Sequence, residues 1–312
     1  MKKISYLLWL SVFLWVAACV PLVETTPSPD GEVTEAVSVS QTEAAASGTV
    51  APVENGLTVD ALKNSSFYSP FFQKTVQLSN GKLALTDETG MYSVEMLPEI
   101  AIGDLNDDQV DDAALLLAEN GGGTGVFVSL VVVASNGDEY EQVGSFAIDD
   151  RPIIQSLAIQ DGEILLKAII HDVDDAMIEP TLKVKETFRL FNQFLTITSL
   201  SSTNRGGIER SIRLDLPVDG SEVSNPVQIK GSMPVAPFEN NLSLTVYDLN
   251  GLVLYQSGFM VTADNPGEPA TFDSSVIIEN LPANTWVRLE LAELSMADGS
   301  LINMNSVLVK IQ

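Results

Sequence analysis

The sequence predicts a mainly β protein, in which an antiparallel β domain with one short helix is followed by a β-sandwich. Short segments of alternating apolar and polar residues recur along the chain, which is typical of half-buried strands. Turn dipeptides such as Asn80-Gly81 and Asp161-Gly162 separate these segments and favour tight hairpins. We therefore expect two β domains, over residues 57–200 and 208–312.

The first predicted domain begins with a helix and continues with hairpins. Thr58 is suited to cap a short helix over residues 58–63, because its hydroxyl can accept a backbone N–H. The hairpins that follow are expected over residues 76–85, 126–148, 153–170 and 182–198. Together they predict a curled antiparallel sheet with one small helix.

The second predicted domain begins after a polar stretch with paired glycines at residues 201–207. Beyond it, turns containing Pro, Asp, Asn and Gly separate short alternating segments at intervals typical of a sandwich. Aromatic rings could in principle stack against sugars here, but each lies in or beside an apolar segment. We therefore expect these rings to pack in the core: Phe238, Tyr247, Tyr255 and Trp286.

The amino terminus predicts export. Lys2 and Lys3 precede an uncharged apolar run over residues 4–18, and Cys19, the only cysteine of the chain, closes that run. This is the layout of an export signal, and the run is shorter than the roughly 20 residues that a membrane span needs. An uncleaved anchor and an ordinary cleaved signal are the alternatives. With its sole cysteine here, the chain has no disulfide to stabilise exported domains.

The segment Val-Ala-Ala-Cys at residues 16–19 resembles the lipobox of bacterial lipoproteins. That resemblance implies cleavage of a signal peptide, residues 1–18, and attachment of a diacylglycerol to the sulfur of Cys19. Two acyl chains hold a protein stably at a membrane, whereas one does not. The resemblance thus implies a bacterial protein that is anchored in the cell membrane by lipid and faces the extracytoplasmic side.

Charge and composition describe the exported part further. Residues 19–56 predict a disordered acidic tether, because they are rich in Thr, Ser, Ala, Pro and Glu and contain no Lys or Arg. Removing residues 1–18 takes away two lysines and no acid, so the remaining 14 basic and 42 acidic side chains leave a formal charge of −28. Such a field repels phosphate backbones and excludes nucleic acid as a partner, but it attracts divalent cations and basic proteins.

Oxygen-bearing side chains alternate over residues 103–112. Such a loop offers side-chain oxygens from its first, third, fifth and ninth positions and a backbone carbonyl from its seventh, which suits Ca²⁺. The candidate ligands are Asp104, Asn106, Asp108, Val110 and Asp112. The segment resembles the calcium loops of integrin-type FG-GAP repeats, although Gln109 stands where that family usually has glycine. The alternative is a turn whose side chains accept hydrogen bonds from their own backbone.

Motifs at residues 212–217, 225–227, 246–251 and 298–300 follow one another in the second domain. Their order resembles the immunoglobulin-like domain found in bacterial spore-germination and other envelope proteins. The resemblance covers most of residues 208–312. It implies an immunoglobulin-like β-sandwich used as an interaction or spacer module, and it implies no catalytic residues.

Few residue patterns suit catalysis. The chain has one histidine, no Gly-x-Ser-x-Gly elbow and no phosphate-binding loop with its lysine. Residues 171–175, His-Asp-Val-Asp-Asp, could offer a metal ligand or an acid–base pair, but a solvated loop is the favoured interpretation. The glycine-rich residues 120–125 favour a hairpin loop. We predict that the protein is not an enzyme and has no catalytic residues.

The predicted function is that of a non-enzymatic, lipid-anchored cell-surface protein. Its tether would present a Ca²⁺-stabilised β domain and an immunoglobulin-like module to an envelope partner, either a protein or a glycan. A structural or assembly factor of an envelope complex is the first alternative. Glycan hydrolysis by a pair of carboxylates is the second, because that chemistry needs no histidine.

Overall fold

The structure is a computed structural model that describes residues 51–52, 57–87, 90–136, 139–279, 281 and 283–312. Cys19 lies outside the described residues, as does the predicted tether apart from Ala51–Pro52, which form a strand. In the described part of the chain, no helix is both long and apolar enough to cross a membrane.

Antiparallel strands dominate the described residues. Among the residues that the structure describes there is one α-helix, α1 (Val59–Leu62), which begins where the Thr58 hydroxyl accepts the Ala61 N–H at 3.1 Å, as the sequence predicts. The strands of the first half are β1 (Ala51–Pro52), β2 (Ser66–Ser69), β3 (Lys74–Gln77), β4 (Lys82–Asp87), β5 (Gly90–Gly103), β6 (Asp112–Asn120), β7 (Phe127–Ser135), β8 (Glu139–Asp150), β9 (Ile153–Gln160), β10 (Glu163–Ile170), β11 (Leu182–Phe191) and β12 (Phe194–Thr203).

The second half continues with strands and one short 3₁₀ turn, Phe238–Asn240. Its strands are β13 (Glu209–Arg210), β14 (Arg213–Leu216), β15 (Ser221–Val223), β16 (Val227–Met233), β17 (Asn241–Tyr247), β18 (Val253–Met260), β19 (Thr262–Ala263), β20 (Ala270–Val276), β21 (Trp286–Leu294) and β22 (Leu301–Ile311).

A six-stranded antiparallel sheet, in the order β1-β8-β7-β6-β5-β4, is buried on both faces. Its central strands β6 and β7 are continuous apolar runs, which suits a sheet without a solvated side. One face packs against α1 and the β2–β3 pair through Leu62, Phe67 and Val76. The other face packs against β10 and β11 through Ile164 and Phe188. The first half is therefore a three-layer structure and not one curled sheet.

The turn at Asn80-Gly81 forms, but the predicted hairpin around it does not. Both residues have positive φ, 52° and 79°, as a two-residue turn requires. However, β3 and β4 are joined only by a single bridge between Ser79 and Lys82. Strand β3 otherwise pairs with β2, and β4 pairs with β5. The prediction of a hairpin over residues 76–85 was wrong, because the turn separates two sheets.

The other three predicted hairpins are confirmed. Strand β7 pairs with β8, β9 with β10, and β11 with β12, all antiparallel. Asp161 and Gly162 have φ values of 52° and 75° between β9 and β10, as that turn signal predicts. The prediction of a mainly β protein with one short α-helix is confirmed.

One ten-stranded sheet runs through both halves of the protein. Its main path is β18-β17-β21-β22-β12-β11-β10-β9, with β13 and β15 attached at its side. The halves join where Ser199 and Leu200 of β12 pair with Asn305 and Met304 of β22. A small buried core lies at this junction and comprises Ala168, Val184, Leu200, Ala292 and Met304.

The second half is a β-sandwich. A four-stranded sheet, β14-β16-β20-β19, packs against the β17, β18, β21 and β22 part of the ten-stranded sheet. Ile229 and Phe272 from the smaller sheet meet Leu244, Leu289 and Val309 from the larger one in a single core. Inward and outward residues alternate along β16, as in other sandwiches with one solvated face per sheet.

Candidate functional site

The aspartate loop spans residues 104–111 and joins β5 to β6. Its side chains accept hydrogen bonds from their own backbone. The two carboxylate oxygens of Asp104 accept the N–H groups of Asn106 at 3.1 Å and Gln109 at 2.8 Å. The amide oxygen of Asn106 accepts the Asp108 N–H at 3.0 Å, and Asp108 accepts the Val110 N–H at 2.8 Å. These bonds are those of the alternative, Asx-rich turn.

Asp112 has a different position from the other four candidates, because it is fully buried at the start of β6. One carboxylate oxygen accepts the Leu105 N–H at 2.9 Å, and the other accepts the Ser135 N–H at 2.9 Å. Asp112 therefore ties the beginning of the loop to the end of β7. This leaves Asp104, Asn106 and Asp108 as the side chains nearer to solvent.

Asp104 and Asp112 have pKa values shifted in opposite directions. Desolvation raises the pKa of Asp112, and the nearby charges of Asp108 and Asp104 add to that rise, which the hydrogen bonds from Ser135 and Leu105 only partly offset. At Asp104 a desolvation contribution is outweighed by hydrogen bonds from the loop backbone, so its pKa is lowered. The loop thus holds Asp104 ionised beside Asp112, a carboxylate whose ionisation is disfavoured.

The loop adopts two left-handed backbone conformations at non-glycine residues. The φ values are 62° at Asp107 and 67° at Gln109. Aspartate visits this region more readily than glutamine, because its short side chain hydrogen-bonds locally. Gln109 stands where calcium loops usually have glycine. The sharp turn still forms, and the backbone of Gln109 is strained there.

The donor chemistry of the loop fits a hard cation, since the candidate ligands offer only oxygen atoms. In the described residues, no group of three or more His, Cys, Asp or Glu side chains is arranged to hold a metal ion. Asp104 and Asp108 provide two carboxylates, Asn106 an amide oxygen and Val110 a backbone carbonyl. Asp112 instead accepts hydrogen bonds from backbone N–H groups. Ca²⁺ binding stays a prediction.

His171 lies directly after β10, at the strand end where the sequence places a loop. Its Nδ1 is 2.8 Å from Asp149 Oδ2, and the same oxygen accepts the His171 backbone N–H at 2.7 Å. Its Nε2 is buried and has no hydrogen-bond partner among the described residues. The carboxylate of Asp149 thus fixes the imidazole and joins the ends of β8 and β10.

The glycine-rich segment forms the loop of the β6–β7 hairpin, as predicted. Asn120 closes it: the side-chain amide donates to the carbonyl of Gly125 at 2.6 Å and to that of Gly123 at 3.1 Å. The Asn120 side-chain oxygen accepts the Gly122 N–H at 2.7 Å. The hydrogen bonds of the Asn120 side chain thus hold the two ends of the loop together.

Sequence reasoning missed two buried carboxylates that have raised pKa values. Glu119, fully buried on β6, accepts hydrogen bonds from the hydroxyls of Ser69 and Ser129, and desolvation raises its pKa despite them. Glu186 on β11 is also buried, its Oε2 has no partner among the described residues, and burial raises its pKa to about 7. Strand parity could have identified Glu186, since Val184 and Phe188 on either side of it point inward.

These two acids do not form a catalytic pair. Glu119 continues the row of Ala113, Leu115 and Leu117, which face α1 and the β2–β3 pair. Glu186 lies on the inward face of β11, beside Phe188, in the layer on the other side of the six-stranded sheet. Glu119 and Glu186 are therefore separated by that sheet.

The aromatic residues of the sandwich divide between core and surface. Tyr255 packs against the sandwich core, while Tyr247 and Trp286 are half-buried. Phe238 is 62 % exposed, so its assignment to the core was wrong. It lies in the 3₁₀ turn before β17, where the chain has not yet entered the sheet.

Comparison with known proteins gives one family. No curated protein matches the chain. Residues 211–300 match the immunoglobulin-like domain of bacterial spore germination, and these residues include β14 to β21 of the sandwich. The prediction of an immunoglobulin-like domain at the carboxyl end is therefore confirmed: this part of the chain is similar to the immunoglobulin-like domain of bacterial spore germination.

Proposed function

We propose that this protein is a non-enzymatic, lipid-anchored protein of a bacterial cell envelope, whose immunoglobulin-like sandwich binds a partner on the extracytoplasmic side. The observation that carries this proposal is the match of residues 211–300 to an immunoglobulin-like domain, in a part of the chain that folds as a sandwich around one core. Such sandwiches are common in cell-surface proteins and serve there as interaction modules.

Sequence features support the anchor. The positive start at Lys2 and Lys3, the apolar residues 4–18 and the cysteine after Ala17-Ala18 together suit a lipoprotein signal. A diacylglycerol on Cys19 would supply the two acyl chains that stable membrane attachment requires.

The position of the buried acids supports a non-enzymatic role. A glycosidase needs two carboxyl groups on either side of one scissile bond, within about 10 Å of each other across an open site. Glu119 faces one side of the six-stranded sheet, whereas Glu186 lies in the layer packed against the other side, and both are buried. Their carboxyl groups have no shared access to a substrate.

A spacer or assembly role is the second candidate, and the continuous sheet favours it. The pairing of Ser199 and Leu200 with β22 joins the sandwich to the first half through backbone hydrogen bonds. A sandwich held in this way has a fixed orientation relative to the first half of the protein. The first half would then act as a rigid support that sets where the sandwich is presented.

We further propose that the aspartate loop binds Ca²⁺ through Asp104, Asn106, Asp108 and the Val110 carbonyl, with Asp112 in support. The repulsion that Asp104 and Asp108 exert on Asp112 supports this proposal, because a divalent cation would relieve it. Bound Ca²⁺ would stabilise the connection between β5 and β6.

The function is tested on the full chain expressed in a bacterium. We expect the wild type to enter the detergent phase on phase partition and Cys19→Ser to remain in the aqueous phase. Wild-type protein in the aqueous phase would contradict the anchor. Release of sugars from cell-wall glycan, lost in Glu119→Gln or Glu186→Gln, would contradict the non-enzymatic role and favour the hydrolase.

A further inference from the structure

Strand β18 (Val253–Met260) is an open edge of the ten-stranded sheet. It pairs with β17 along seven residue pairs, and within the described part of the chain no strand pairs with its other side. The backbone N–H and C=O groups of an edge strand on that side are directed at solvent, where another strand can bind them. This edge therefore offers a template as long as the strand itself.

The other edges of the three larger sheets carry features that oppose such pairing. Strand β4 carries Lys82, paired with Glu95 at 2.7 Å, and β14 carries Arg213, paired with Asp215 at 2.9 Å. Strands β1 and β19 are only two residues long, and β9 packs against β5. Charges, short strands and coverage are the usual protections of an edge. Strand β18, with the sequence VLYQSGFM, has no charged residue and no proline.

Apolar side chains are exposed along this edge. Val253 is 49 % exposed and Met260 is 63 % exposed at the two ends of the strand, and Leu252 just before it is 64 % exposed. Phe238, also exposed, lies in the turn that leads into the neighbouring β17. Tyr255 and Phe259 point inward and hold the strand on the core. A strand added at this edge would thus find apolar contacts beside its backbone bonds.

The stretch of sequence that contains β18 carries charge of one sign. Between Lys230 and Arg288 the chain has no basic residue. Both of these flanking cations are paired, Lys230 with Asp273 and Arg288 with Glu290. The acidic residues between them are Glu239, Asp248, Asp264, Glu268, Asp273 and Glu279. A second copy of this chain, with a formal charge of −26, would be repelled here, whereas a basic segment would be attracted.

We infer that β18 binds an extended, basic segment of a partner protein by strand addition, with the backbone of that segment continuing the ten-stranded sheet. This inference rests on the proposed function, since it names the surface and the chemistry by which the sandwich would bind a protein. Backbone hydrogen bonds would supply affinity, and apolar residues of the segment, alternating with Lys or Arg, would supply the fit.

The experiment selects random displayed peptides on the immobilised full chain. We expect the enriched peptides to alternate apolar and basic residues. The strongest peptide is then synthesised in two forms, each N-methylated at one alternate set of residues. Because only one set of N–H groups faces the sheet in an added strand, one form should lose binding and the other should keep it.

Variants locate the site. Gln256→Lys/Met260→Lys places two cations on exposed, outward positions of β18 and should weaken peptide binding by about tenfold or more. The matched control, Ala84→Lys/Thr86→Lys, adds the same charge to exposed positions of edge strand β4 and should leave binding unchanged. Melting temperatures of both variants show that they fold.

Several results would overturn the inference. These are no enriched peptide, enriched peptides without basic residues, equal binding of the two N-methylated forms, or equal binding by the two lysine variants. Concentration-dependent self-association that the β18 variant abolishes would instead assign the edge to a second copy. None of these results bears on Cys19, so failure here is distinct from failure of the membrane anchor.

Discussion

The ring of Phe194 lies directly over Gly251. A Cβ atom placed on Gly251 would be 2.7 Å from Phe194 Cζ, so only glycine allows this approach. Phe194 begins β12 in the first half, and Gly251 lies in the turn between β17 and β18 of the sandwich. Arg189 of β11 and Asp219 of the β14–β15 connection also join the two halves, through an ion pair at 3.1 Å. Side-chain packing thus reinforces the strand pairing that joins the two halves.

Substitution of Gly251 tests this contact. Gly251→Ala should lower the free energy of unfolding by about 2–4 kcal/mol, from the clash with Phe194 and from the positive φ of 84°. Gly299→Ala is the control, because Gly299 has a φ of 74° but no atom within 4 Å of an added Cβ. Urea denaturation of both variants measures the difference, and equal losses would contradict the packing of Phe194 on Gly251.

Glu186 should make stability depend on pH. Its pKa is raised from 4.5 to about 7 by burial, so the protonated form favours the folded state. That contribution is fully present below pH 4.5 and is lost as the pH rises through about 7, for a total of about 3 kcal/mol. We expect Glu186→Gln to unfold with a flatter pH dependence than the wild type between these values.

The control for Glu186 is Glu239→Gln, which removes an exposed carboxylate. It should retain the wild-type pH dependence. Because Asp112 and Glu119 also have raised pKa values, some loss of stability with rising pH should persist in Glu186→Gln. Parallel curves for wild type and Glu186→Gln, from denaturant melts at several pH values, would show that Glu186 does not titrate as described.

The aspartate loop should respond to Ca²⁺. We expect Ca²⁺ to raise the melting temperature of the wild type, and Asp104→Ala or Asp108→Ala to abolish that rise. Asp111→Ala removes an exposed acid of the same loop that lies outside the proposed ligand set, so it should keep the response. Isothermal titration of the full chain with Ca²⁺ measures binding directly. Heats equal to dilution in the wild type would contradict a calcium site.

Replacement of Gln109 by glycine should increase the stability of the fold. Replacing it with glycine relieves the left-handed conformation at φ 67°, at some cost in chain entropy, so Gln109→Gly should stabilise the fold by about 0.5–1 kcal/mol. Asp107→Gly, at φ 62°, should gain less because aspartate tolerates this region. Chemical denaturation compares the two, and a loss of stability in Gln109→Gly would contradict the strain assigned to this residue.

Local signals in the sequence predicted local structure well. The Thr58 cap and the Asp161-Gly162 turn are each determined by residues within a short stretch of the chain. Asn80-Gly81 shows the limit of such signals: the turn chemistry was right, but strand pairing depends on packing, and Val76 and Leu78 lie in the core beneath α1 instead of beside β4.

Long-range features could not be predicted in the same way. Leu200 pairs with Met304 across more than a hundred residues, and no short segment encodes that partner. For the aspartate loop, spacing could not show that Asp112 is buried and hydrogen-bonded to Ser135, because Ser135 belongs to another strand.

Anchoring through lipid on Cys19 would decide where the sandwich meets a partner, so the proposed function depends on it. The most direct test is the intact mass of the full chain expressed in a bacterium and recovered from its membranes. We predict a mass that begins at Cys19 and includes a diacylglycerol on its sulfur. A chain that begins at Met1, or one in which Cys19 carries an unmodified thiol, would show that the protein is not anchored by lipid on this residue.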